Sequence, residues 1–152
     1  MSYRKGDKFV IVAIGSDHAA FDLRYHLIDH LKERGIEVKD YGTYENKSCD
    51  YPVYAHLVAN AVVNGEADFG ILVCGTGIGM SMAANKVKGI RAALVGDELS
   101  AEATRLHNDA NVLCMGARVT THERAERITD IFLDTPFSNE AKHIRRIGGI
   151  EQ

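Results

Sequence analysis

Residues 67–86, ADFGILVCGTGIGMSMAANK, constrain this chain more than any other stretch. Phe69 to Val73 is an apolar run of strand length. The loop Cys74-Gly75-Thr76-Gly77-Ile78-Gly79 places three glycines at alternate positions, and Met80 to Lys86 is rich in helix formers. Strand, glycine loop, helix is the building unit of an α/β sheet. It also points the unpartnered N–H groups at the start of the helix toward whatever sits over the loop. Cys74 stands at the mouth of that loop.

The same alternation runs through the rest of the chain. Phe9 to Ile14 is continuously apolar and predicts a strand buried on both faces. Leu23, Leu27 and Leu31, with Ile28 beside them, predict an amphipathic helix from about Ala20 that Gly35 stops. Ile36 to Tyr41 reads as a second, less apolar strand nearer an edge, and Gly42 to Asp50 as the longest loop. Asp50 and Pro52 open a helix bearing Leu57, Val58, Ala61 and Val62. After the glycine unit come a buried strand at Ile90 to Val95, a helix at Ser100 to Leu106 and a turn at His107 to Asn111. A fifth strand at Val112 to Met115 follows. Thr120 or Thr121 then caps a helix with Ala125, Ile128 and Phe132 inward, and a last helix runs from Ser138 to Gly148-Gly149.

Strands alternating with helices predict one α/β domain over residues 1–152, with a five-stranded parallel sheet and helices on both faces. Ligands of such sheets bind beyond the carboxyl ends of the strands. Those ends carry Asp17-His18, Cys74 and its glycines, Asp97-Glu98 and Arg118. His107 instead precedes its strand, which places it at the other end of the sheet and points to a partner subunit as its supplier.

Charge narrows the ligand classes. A net charge of −3 and a pI near 6.1 give no global attraction to nucleic acid or to anionic membranes, so an anionic ligand must be caught by local groups. Three scattered cysteines form no disulfide framework or zinc motif and suit a reducing cytosol. No long apolar run or signal-like core appears, so a cytoplasmic location is expected. Metal-ligand spacings and a G-x-S-x-G elbow are absent, so neither a metal nor a serine nucleophile is expected.

The loop spacing, G-x-G-x-G, matches neither the dinucleotide fingerprint nor the P-loop, leaving an anion cradle or a tight turn. Cys74 is either a small buried residue or a thiol whose thiolate the helix start stabilises for use as base or nucleophile. Asp17-His18 is either a functional pair or a turn in which Asp17 caps the next helix. Cys114 reads as core, and Cys49 has no assignable partner. His26, His30, His56 and His122 fall in helical stretches as surface or satisfied groups, whereas His107 in a turn is free for proton transfer. Lys142, His143, Arg145 and Arg146 form either a solvated cationic face or a phosphate clamp.

Taken together the motifs resemble the type B ribose-5-phosphate isomerases, a family that includes the galactose-6-phosphate isomerase subunits. The resemblance runs nearly end to end: Gly15-Ser16-Asp17-His18-Ala19-Ala20-Phe21, Asp50-Tyr51-Pro52-Val53-Tyr54-Ala55, Cys74 through Ser81 with Ala83-Ala84-Asn85-Lys86, Gly89-Ile90-Arg91-Ala92, His107-Asn108-Asp109-Ala110-Asn111, and His143-Ile144-Arg145-Arg146-Ile147.

The resemblance implies a Rossmann-like three-layer α/β/α sandwich and a homodimer or dimer of dimers with shared sites. It further implies no cofactor and interconversion of ribose 5-phosphate with ribulose 5-phosphate. Cys74 would be the base, and the N–H groups of Gly75, Gly77, Ile78 and Gly79, with Thr76, would hold the enediolate oxygen. His107 with Asp17 would open the ring, and Tyr51 and Asn108 would hold the sugar. His18, Arg118, Lys142 and Arg146 would take the phosphate, the helix at about 138–147 contributing to the dimer as well. The family commonly has arginine where Lys142 stands, so Arg146 is the stronger expectation. A six-carbon substrate (allose 6-phosphate or galactose 6-phosphate) and a non-catalytic sugar-phosphate or nucleotide sensor are the alternatives.

Overall fold

In the computed structural model, residues 4–5 and 8–152 are described, with side chains from Phe9 onward; the remainder of the polar amino-terminal stretch, read above as lacking a signal-like core, lies outside the described residues. The element order is β1 (Arg4–Lys5), β2 (Lys8–Phe9), β3 (Ile11–Ser16), a 3-10 turn (His18–Ala20), α1 (Phe21–Glu33), β4 (Glu37–Asp40) and α2 (Tyr51–Val63). It continues β5 (Phe69–Cys74), α3 (Ile78–Ala84), β6 (Ala92–Leu94), α4 (Glu98–Asn108), β7 (Val112–Gly116), α5 (His122–Asp134) and α6 (Ala141–Ile150). The first two strands form a small antiparallel ribbon, and the other five form one parallel sheet in the order β4-β3-β5-β7-β6.

Side-chain alternation along the strands makes the two faces. On β5, Ile71 and Val73 point to the layer of α1, α4 and α5, while Leu72 and Cys74 point to the layer of α2 and α3. The first layer is the larger core: Leu23, Leu27 and Leu31 of α1 meet Ile128 and Phe132 of α5, all 2% exposed or less. Phe132 meets Phe69 edge to face, with ring centroids 5.7 Å apart. Hydrogen bonds tie α1 and the residue that caps it to α5 along their outer edges: His30 to Asp130 at 2.8 Å and Arg34 to Asp130 at 2.7 Å.

Several expectations shift. The first predicted strand splits, with Phe9 in the ribbon and the sheet strand running on to Ser16. The predicted fourth strand shrinks to the three residues of β6, which pairs with β7 alone; Leu94 is 47% exposed, because an edge strand lacks cover on one side. Leu57 faces outward, and α2 buries its small residues Ala55, Val58, Ala59 and Ala61 instead. Asp50 occupies the N-cap position of α2 without a side-chain capping bond, and Thr121 rather than Thr120 caps α5, accepting from the Arg124 N–H. The last helix continues through Gly148 and Gly149 to Ile150. Helix α4 extends to Asn108, and Asp109 ends it with a φ of 44°, so His107 and Asn108 are helical rather than in a turn.

Candidate active site

The chain leaves β3 for β4 on one side and returns to β5 on the other, opening a crevice at the carboxyl ends of β3 and β5. Ser16 pairs with Val73 at this end, and the Asp17 N–H donates to the Val73 carbonyl at 3.3 Å. This register brings Asp17-His18 beside Cys74. The Asp17 carboxylate accepts the Ala19 N–H at 3.0 Å and starts the 3-10 turn, so it caps and lines the crevice at once.

Three glycine approaches shape the loop after β5. Gly77 has a φ of +80°, and a Cβ there would stand 2.8 Å from the Met115 carbonyl carbon. This left-handed residue turns the chain into α3 and lets its N–H donate to the Cys74 Sγ at 3.1 Å. A Cβ on Gly79 would lie 2.5 Å from Cζ of Tyr51, so the absence of a side chain allows the Tyr51 ring to lie across the loop. A Cβ on Gly75 would meet the Arg118 guanidinium at 3.4 Å. The segment after β7 is tied down by its own N–H groups: Ala117 donates to Cys74 O and Arg118 to Gly75 O, each at 2.9 Å. Thr76 Oγ1 accepts the Ile78 N–H at 3.3 Å.

The result is a cleft of about 260 Å³ lined by Asp17, His18, Tyr51, Cys74, Thr76 and Arg118, with Gly75 and Gly79 in its floor. Cys74 is 6% exposed and Asp17 7%. Gly77 and Ile78 shape the loop without lining the cleft. The Cys114 thiol, fully buried, is held protonated far above the ordinary thiol range by its burial.

Four of the expected residues are elsewhere in the subunit. His107 ends α4 and stacks on His143 of α6, their centroids 4.4 Å apart and planes 19° from parallel. Burial, then the nearby His107, pushes the His143 pKa below the ordinary histidine value. Asn108 gives its carbonyl to the Arg91 guanidinium at 2.9 Å. Lys142 and Arg146 are exposed on α6, with Lys142 3.4 Å from Glu140. The reason is topological: α4 runs back along the sheet and delivers its last turn to the amino end of β7, the end away from Cys74.

One contact escaped the sequence reading. Cys49 donates its backbone N–H to Nδ1 of His18 at 3.3 Å, and its Sγ lies 4.0 Å from the same nitrogen. Nothing in the spacing of residues 18 and 49 signals this, because it depends on β4 returning beside β3. Among the described residues, no group of three or more His, Cys, Asp or Glu could hold a metal, and no helix is long and apolar enough to cross a membrane.

Comparison with known proteins places this geometry. A sequence model of the Ribose/Galactose Isomerase family matches residues 12–150. Ribose-5-phosphate isomerase B of Escherichia coli is 47% identical over 139 residues, covering 91% of this chain and 93% of the relative. The structure of ribose-5-phosphate isomerase B from Clostridium thermocellum superposes with a TM-score of 0.92 at 46% identity, covering 93% of this chain and 95% of that one. That of the Mycoplasma genitalium enzyme with bound ribulose 5-phosphate superposes at 0.88 with 43% identity, covering 93% and 94%. The fold, the loop and these likenesses agree: the chain belongs to the ribose/galactose isomerase family.

Proposed function

We propose that this protein interconverts ribose 5-phosphate and ribulose 5-phosphate through a cis-enediolate, without a cofactor and with Cys74 as the base. The observation that carries the reading is the pairing of the Cys74 Sγ with the Gly77 N–H, facing Asp17-His18 across the crevice. The proton beside a sugar carbonyl is weakly acidic, so its removal needs both a base and a stabilised oxyanion. Cys74 as thiolate takes the C2 proton of the open-chain aldose, and the electron pair moves onto O1. The O2 hydroxyl proton passes to O1 as the C2–O2 carbonyl forms, and the same thiol returns the first proton to C1, giving the ketose. The N–H groups of Gly75 and Gly79 and the Thr76 hydroxyl, all from residues that line the cleft, hold the enediolate oxygen; preformed donors of this type contribute about 3–4 kcal/mol each. The close glycine backbone lets the substrate approach them.

His18 and Arg118, at the rim of the same cleft, take the phosphate. His107 of the partner subunit opens the furanose ring with Asp17 assisting, and the partner's Asn108, Lys142 and Arg146 complete the sugar and phosphate contacts beside Tyr51. Their distance from Cys74 within one chain supports a homodimer in which each site draws on two copies.

Ketose formation from ribose 5-phosphate, measured with and without a chelator, tests the reading. Chelator-resistant turnover is expected; no turnover on any pentose or hexose phosphate would reject it. Galactose 6-phosphate and allose 6-phosphate belong in the same assay, since the family description names galactose beside ribose. The ratio of kcat/KM values assigns the substrate.

A further inference from the structure

We propose that the backbone N–H of Cys49 is a positioning group that fixes the tautomer of His18 and makes its other ring nitrogen a donor to the substrate's anionic oxygen. This rests on the reading that His18 contacts the phosphate. Residues 42–50 have no side chain in the cleft, yet they are fastened to it at both ends. At the base, the Ser16 N–H donates to Gly42 O at 2.7 Å, and the Thr43 N–H returns to Ser16 O at 2.9 Å. Arg24, fully buried, reinforces this base: its Nη1 donates to Ser16 Oγ at 2.7 Å and its Nε lies 3.2 Å from the Asp40 carboxylate. Asp40 in turn accepts the Gly42 N–H at 3.0 Å. At the far end stands the Cys49 N–H, 3.3 Å from Nδ1 of His18.

A ring nitrogen that accepts an N–H must present its lone pair. Nδ1 is therefore unprotonated, and a neutral His18 carries its one proton on Nε2. A phosphate oxygen has only acceptors to offer. The Nε2–H tautomer meets it with a donor, whereas the other tautomer would turn a lone pair toward it. The donor is selected before substrate arrives, by a residue two positions ahead of Tyr51, which starts α2 and itself covers the glycine loop. One continuous segment thus sets both His18 and Tyr51.

The experiment is ¹⁵N imidazole spectroscopy of the full chain, with His18 assigned by His18→Gln, alongside steady-state kinetics. Wild type and Cys49→Ala, which both keep the N–H, should show His18 protonated at Nε2 and bare at Nδ1. Cys49→Pro removes the donor; it should give a mixed tautomer and raise KM about five- to tenfold, the worth of one hydrogen bond, with kcat changed less than about twofold. A wild-type His18 carrying its proton on Nδ1 overturns the proposal, whatever the fate of the proline variant. So does a folded Cys49→Pro that keeps both tautomer and KM. The site reading fails separately: if His18→Gln leaves KM unchanged, His18 does not touch the phosphate even where its tautomer is fixed.

Discussion

The backbone N–H of Gly77 donates to the Sγ of Cys74 across 3.1 Å, closing a four-residue loop whose left-handed turn favours glycine. A hydrogen bond donated to sulfur is worth more when the sulfur carries charge. The local geometry therefore suits a thiolate, and it is produced by backbone alone.

Cys74→Ala removes that sulfur from a buried position at the bottom of an open cleft, with little change in packing. The variant should unfold within about 1–2 kcal/mol of wild type and lose kcat by several orders of magnitude. Chemical denaturation and a coupled ketose assay measure the two quantities, and near-normal turnover would end the case for Cys74 as base.

Gly77→Ala and Gly79→Ala should behave differently although they are two residues apart. At Gly77 the added Cβ would meet the Met115 carbonyl at 2.9 Å, and φ is already +80°, so backbone must move; a loss of at least about 2 kcal/mol is expected. At Gly79 the Cβ would meet the ring of Tyr51, a residue 40% exposed that can swing away. That variant should keep its melting temperature and raise KM, which calorimetry and kinetics distinguish.

If the site is shared, mixing inactive Cys74→Ala with inactive His107→Ala subunits should restore activity. In a statistical mixture half of the dimers are mixed, and each holds one intact site, so about a quarter of wild-type activity is expected after subunit exchange. A mixture that stays inactive, with exchange verified by mass, would place His107 outside catalysis.

The stacked pair at α4 and α6 predicts a pH dependence. The folded-state pKa of His143 lies below its ordinary 6.5, so the unfolded chain binds this proton first as pH falls. Its contribution to stability is full above about pH 6.5 and declines as pH falls from there through the folded value. Urea unfolding between about pH 7.5 and 5 should show a shallower acid loss in His143→Gln than in wild type. A second window lies lower: hydrogen bonds from Arg127, from the Glu98 backbone and from Arg124 hold the Glu98 carboxyl at about 2, below its ordinary 4.5. That contribution is present above pH 4.5 and is lost toward pH 2, and Glu98→Gln should remove it.

In the core, Phe132→Ala should destabilise by about 3–5 kcal/mol, since Phe132 is fully buried against Phe69 and under the Arg105 guanidinium. The KM of the folded fraction should be unchanged, because this layer lies on the sheet face away from Cys74.

The parallel α/β architecture was readable in the chain because its signals are local. Apolar runs of strand length, leucines four apart in α1 and glycines around Cys74 each report on a few neighbouring residues. The placement of Asp17, His18, Cys74 and Arg118 followed from one further rule, that loops at the carboxyl ends of parallel strands converge. The edge position of β6 was harder to read: residues 90–95 are apolar except for Arg91, but strand order leaves β6 with one neighbour. The reach of α4 past His107 was hidden by a turn-like run of Asn and Asp, and the left-handed Asp109 ends the helix later than composition suggests.

Periodicity and loop chemistry thus determined the class of fold, the cysteine at the glycine loop and the crevice that it lines. Tertiary structure alone decided that His18 leans on Cys49 and that His107 stacks on His143. These contacts join residues 31 or more positions apart, and they exist only once strand order and helix direction have been chosen by burial of the whole sheet.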